Sequence, residues 1–232
     1  MLEGGHQGFV YSMKVGAPED LAMILPIPVA VGAPENALKF ISFEGNADFF
    51  SELDRGFPEP ITRGYSKAPP LPAAAAAPLK VETVGSFVAS FVPTVRDFNR
   101  LDAQFRLPET VWAGLGQYSK YGFAVFQLRK GAGPVHPMAF TFPTATPDRL
   151  FFPTVHIHDG KVHPKAKFDH ALYCQPGRDG SSSLLQWRES DLPAERFVKV
   201  AQARGLVAAD RHVYRTKMVG NLPNEDLWVR LA

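Results

Sequence analysis

One cysteine in 232 residues, Cys174, excludes an intrachain disulfide. The fold must hold by packing alone, which suits a reducing, intracellular setting. An excess of one charge is also missing: 25 Lys+Arg against 23 Asp+Glu leave +2. So even a balance supplies no general electrostatic reason to bind nucleic acid or anionic lipid. The longest apolar run, Leu21 to Ala33, is broken by Pro26 and Pro28 and is too short to span a bilayer. Met1 to Met13 carries neither the basic start nor the apolar stretch of a signal peptide. The expected location is therefore the cytoplasm, or outside the cell if a leader has been removed. Gly114-Leu-Gly116 and Gly131-Ala-Gly133 lack the context of a phosphate loop, and no fixed period repeats along the chain.

Apolar material is what the chain has in quantity. Hydrophobic residues make up 45% and phenylalanine alone numbers 18, enough to build a core and to exclude wholesale disorder. Runs rich in β-branched and aromatic residues predict strands over Gly8–Val15, Ala22–Ile27, Leu38–Phe43, Phe87–Val92, Tyr121–Leu128 and Met138–Phe142. Further strands are expected at His212–Met218 and Asp226–Val229. Short helices are expected over Ala47–Leu53 behind an Asn46 cap, after Thr94 with Asp97 three residues on, after Pro108, and from Pro193 to a stop at Gly205. Strands outnumber helices and are not interleaved with them one for one, which predicts an α+β fold with a mainly antiparallel sheet. The Pro/Ala-rich stretch 67–79 (KAPPLPAAAAAPL) reads as a link between an N-terminal β-rich subdomain, 1–66, and a C-terminal α+β subdomain, 80–232.

One constellation is dense. Five of the seven histidines lie between His136 and His170. Asp159-Gly160 separates two β-rich runs and is a preferred dipeptide for a two-residue hairpin turn. That turn would set His156 opposite His163 and His158 opposite Lys161. Alternation then places His156, His158 and His163 on one face with Lys161, Lys165, Lys167 and Asp169. His170 falls on the opposite, core face with Phe168 and Leu172.

Three imidazoles on one ladder, His156, His158 and His163, are the ligand set of a catalytic zinc or another divalent transition metal. The lysines on that face disfavour a cation and suggest instead an anion site built from Lys161, His163 and Lys165. Cys174 and His170 are too far apart along a strand for a thiol–imidazole pair. Glu225-Asp226 reads as loop and cap residues, and the Phe stripes read as core, with an apolar ligand pocket as the alternative. No complete catalytic set is present.

Leu25-Pro-Ile-Pro28, Val84-Gly85 before a strand, Tyr121-Gly-Phe123 and His136-Pro-Met-Ala-Phe-Thr-Phe142 follow one another in an order that resembles an uncharacterised bacterial domain-of-unknown-function family. The resemblance covers about residues 22–155. It implies an exported or membrane-anchored location, from which this chain departs by having no leader, paired cysteines or anchor. It implies no activity, cofactor or catalytic residue, and it makes His136 part of a structural strand. The function expected is that of a non-enzymatic binding or structural module with a His/Lys-rich hairpin face. The alternatives are a zinc-type metallohydrolase using His156, His158 and His163, and an anion-binding module. No nucleic acid and no membrane span are expected, which leaves a protein partner or a second copy of the chain.

Overall fold

A computed structural model describes residues 2–12, 22–58, 81–101, 109–128, 135–157, 161–176 and 184–231. The stretch 67–79, together with His158, Asp159 and Gly160, lies outside the described residues. The described strands are β1 (His6–Tyr11), β2 (Ala22–Ile27), β3 (Lys39–Ile41), β4 (Glu82–Val84), β5 (Phe87–Val92) and β6 (Gly122–Leu128). They continue with β7 (Met138–Pro143), β8 (Arg149–Phe152), β9 (Lys165–Cys174), β10 (Arg188–Glu189), β11 (Tyr214–Pro223) and β12 (Leu227–Arg230). Two short α-helices, α1 (Phe49–Arg55) and α2 (Glu109–Ala113), and several 3-10 turns complete the described elements. The strands form four small antiparallel sheets, in the orders β1-β7-β3, β2-β6-β5-β4, β12-β8 and β10-β11-β9. The protein is therefore α+β with predominantly antiparallel sheets.

β6 and β7 explain where the core lies. Phe123, Ala124, Val125 and Phe126 of β6 are buried on both faces, as expected of a strand flanked by β2 and β5. β7 shows Met138, Ala139, Phe140 and Phe142 at 1% exposure or less. The alternation Met-Ala-Phe-Thr-Phe predicts one covered face, but Ala139 joins a second core with Phe43, Phe49 and Val198. β7 is thus covered from both sides. β1 and β3 pair with β7 and β2 with β6, so strands on either side of the 67–79 link share two sheets. Pro26 sits inside β2 without loss because β2 is an edge strand.

The helical expectations are met less closely. α1 starts at Phe49, and the Asn46 side chain is buried rather than capping. Thr94 Oγ1 donates to Asp97 Oδ2 at 2.7 Å instead of accepting a backbone amide, and Val95–Arg100 winds as a 3-10 turn. The amphipathic stretch after Pro193 becomes two 3-10 turns, Ala194–Arg196 and Val200–Ala203. Its first amides are taken elsewhere: Ala194 N donates to Arg211 O and Glu195 N to Ala209 O.

His136 precedes β7 and is held by its neighbours. It is buried, its Nε2 accepts the amide of Ser86 at 3.0 Å, and its Nδ1 lies 2.8 Å from Pro137 O. Those partners assign a neutral ring with the proton on Nδ1. The two-residue turn between β4 and β5 has positive φ at Gly85 alone, the pattern of a type II′ hairpin. A Cβ at Gly85 would lie 2.1 Å from His136 Nε2. Gly85→Ala is expected to cost about 2 kcal/mol or more, read as a lower denaturation midpoint in urea at unchanged slope.

Candidate functional site

The path of the chain after β8 decides the site. β8 pairs with β12, Phe152 opposite Leu227 and Arg149 opposite Arg230. Beyond Phe152 the backbone does not enter a ladder; its amides go to two side chains instead. Asp226 Oδ1 accepts Thr154 N at 2.9 Å and Val155 N at 3.3 Å. Asn224 Oδ1 accepts His156 N at 2.8 Å, and its Nδ2 donates to His156 O and His163 O. The other Asp226 oxygen accepts the Tyr118 hydroxyl at 2.6 Å. Burial pushes the Asp226 carboxyl above the usual carboxylate range, against the opposing pull of these bonds.

The expected ladder between His156 and His163 therefore does not form. β9 pairs with β11, β8 pairs with β12, and residues 153–157 and 161–164 are not strand. The face assignment is right for β9, where Lys165, Lys167 and Asp169 are exposed and Phe168 is buried. It is wrong for His156. Held by Asn224, its ring stacks on Phe168 at 4.6 Å and 24°. Its Nε2 lies 2.6 Å from Nε2 of His170. One of the two rings must donate and the other accept, so at least one is neutral in this arrangement.

Of the expected metal ligands, His156 thus faces His170, His163 is exposed, and His158 lies outside the described residues. Among the described residues no group of three or more His, Cys, Asp or Glu is placed to hold a metal ion. Lys161, His163 and Lys165 of the expected anion site are exposed. Residue spacing missed His170 as the partner of His156. The usable signal was the Asn224-Glu225-Asp226 cluster just before β12, whose short polar side chains are suited to capping free amides.

His170 also lines a cleft of about 560 Å³. One wall is β1 and the other is the second half of β9, with Phe49, Phe50 and Leu53 of α1, Leu150 and Phe152 of β8, and Leu206 closing it. The buried Gln7 ties β1 to β8: its Nε2 donates to Phe151 O at 2.7 Å and its Oε1 accepts Phe151 N at 3.1 Å. Gln175 fixes the end of β9, bonding Ala208 through both N and O and Arg211 through O. Its lining is mixed, with Asp169, Arg211, Thr154 and Ser12 beside the apolar groups. Burial raises the Tyr11 hydroxyl, and burial pushes the Cys174 thiol up to about 12. A protonated thiol in an apolar wall is a packing group rather than a nucleophile.

No family model matches the chain, and no curated protein matches it. Among solved structures it is similar to a crystal structure of a mutated baculovirus P35 after caspase cleavage. That likeness spans 100% of this chain and 95% of that one at 11% identity and a TM-score of 0.46. At that level it carries no argument about function.

Two outcomes test the site as built. Asp226→Ala leaves the Tyr118 hydroxyl and two amides without their acceptor, and should cost about 3 kcal/mol or more. Asp226→Asn keeps the oxygen that receives the amides and should cost less; equilibrium unfolding in urea measures both. Because the raised Cys174 pKa keeps the thiol protonated as pH climbs through the ordinary thiol range near 8.5, alkylation by iodoacetamide at pH 8 should run at least about tenfold slower than in the unfolded chain. The rate should climb as pH approaches 12.

Proposed function

We propose that the protein is a binding module whose ligand occupies the cleft between β1 and β9. The observation that carries this reading is the cleft itself. Its volume of about 560 Å³ is that of ligand sites in general, and its walls follow the same plan, largely apolar with a few placed polar groups. His170, backed by His156, is the one imidazole among the lining residues. It gives a ligand one hydrogen-bonding group among the apolar and polar side chains that line the cleft.

Two further features support a site over a packing fault. Two side chains that line the cleft are anchored by backbone groups, Gln7 by β8 and Gln175 by Ala208 and Arg211. A preformed shape lowers the ordering cost of binding. The cleft also lies where three of the four sheets meet, since its walls come from β1, β8 and β9, and junctions between structural units are frequent places for ligand sites.

The dye 1-anilinonaphthalene-8-sulfonate is a direct probe of an apolar cleft. It should bind the folded protein saturably with a fluorescence gain. Ala171→Trp, which places an indole from an exposed position at the cleft, should weaken binding at least tenfold, about 1.4 kcal/mol, at unchanged melting temperature. Val219→Trp, on an exposed β11 position outside the lining, should leave dye affinity as it is. Absence of dye binding, or equal affinity in all three proteins, would refute the reading.

A further inference from the structure

We infer that the ligand of this cleft is an extended polypeptide segment that adds as a strand to the edge of β9 at Ala171 and Tyr173. The inference rests on the cleft being the binding site and says what chemistry it recognises.

The first support is the way β9 meets the cleft. Every residue from Asp169 to Gln175 lines it. Neighbours along a strand send their side chains to opposite faces, so a cleft touched by all of them runs along the strand's edge and not over one face. At about 3.3 Å per residue this edge is roughly 20 Å long, enough for a segment of five or six residues.

The second support is the direction of the backbone groups. In an antiparallel ladder, pairs that exchange both hydrogen bonds alternate with pairs that exchange none. Lys165 is opposite Pro223, and Pro223 has no N–H to give, so that pair is a non-bonded one. The far side of β11 agrees. Ser190 N donates to Val213 O at 2.8 Å and Arg188 of β10 pairs with Arg215, so odd-numbered residues of this stretch face β10. Thr216 and Tyr214 then bond Leu172 and Cys174, while the N–H and C=O groups of Ala171 and Tyr173 point away from β11. Among the described residues no strand pairs with that edge.

The third support is how the edge is protected. Sheet edges are commonly guarded against pairing by charged side chains, lysine above all. Lys165 and Lys167 are exposed on the first half of β9. The run from Ala171 to Cys174, within the cleft, carries no charge, and Ala171 is both exposed and small. An added strand would find apolar surface for both its rows of side chains: Phe50 and Leu53 on the Tyr173 side, Leu150 and Phe152 on the Leu172 side. At the opposite wall the start of β1 is already taken up. The Leu2 amide already donates to His6 O at 2.8 Å, and a Cβ on Gly8 would meet Leu206 at 2.7 Å. A lipid or other small apolar molecule would fill the volume without using the main-chain donors and acceptors, whereas strand addition uses both.

The experiment uses the full chain and a fluorescent, acetylated and amidated hexapeptide of alternating valine and threonine, in parallel with the dye. The peptide is expected to bind, and to slow hydrogen exchange at the amides of Ala171 and Tyr173 at least tenfold. N-methylating alternate peptide amides should weaken binding at least tenfold in one parity and leave it unchanged in the other. Ala171→Pro removes an amide that β11 does not use; it should cost the peptide the same factor while dye binding persists. Dye binding without peptide binding, or peptide binding indifferent to methylation parity, would overturn strand addition and leave the cleft reading standing. Failure of both ligands would overturn both. Amides of Ala171 and Tyr173 that are already strongly protected in the protein alone would show the edge to be paired by the chain itself, which also overturns the inference.

Discussion

The side chains of Asn224 and Asp226 control where the chain goes after β8. Backbone amides that leave a sheet must find other acceptors, and these two residues supply them for Thr154, Val155 and His156. Were those amides paired across a hairpin, His156 would stand on the lysine-bearing face of β9. Captured by Asn224, it lies instead against Phe168 and His170. Asp226 can do this because it is half-buried among donors, and the Tyr118 hydroxyl links it to the aromatic cluster around Phe123. A few short polar side chains thus place an imidazole pair and one end of the cleft.

The same accounting of backbone groups explains the division into four small sheets. Short strands with few residues per ladder leave many edges, and each edge has to be paired, covered or guarded. β7 is paired on both sides by β1 and β3, and β6 by β2 and β5. The open side of β8 is met by the Gln7 amide, a side chain doing what a strand would do. The outer half of β9 carries lysines. The inner half of β9 carries no lysine and, among the described residues, pairs with no strand on the side away from β11, and its place beside the cleft is the physical basis for reading the cleft as a place of recognition.

The chemistry of the reactive residue types follows burial and partners. Cys174, alone of its kind, is held protonated by an apolar wall. His136 is engaged by Ser86 and Pro137 under the β4–β5 turn. Glu52, buried at α1, carries a carboxyl lowered despite its burial, because Lys199 donates both its amide at 2.9 Å and its ammonium at 2.8 Å. That pair fastens α1, one wall of the cleft, to the segment that follows Pro193.

Much of the fold was legible in the sequence. The α+β class and the strands at Ala22–Ile27 and Phe87–Val92 were readable, because strand content follows from local β-branched and aromatic runs and the fold class from their count. Alternation along β9 correctly separated Phe168 from its lysines for the same local reason. The helix after Pro193 could not be read correctly, since the mid-stretch amide of Lys199 goes to Glu52 Oε2, a residue whose proximity no periodicity announces. Asp159-Gly160 invited a hairpin pairing that the distant Asn224 and Asp226 replace. The sequence by itself determined which segments are strands and which side chains they turn inward, properties set by neighbours in the chain. Tertiary structure alone decided that His156 meets His170 and that the second half of β9 lines a cleft with β1 and β8. Both depend on which strands pair, and pairing is chosen by contacts between residues far apart in the chain.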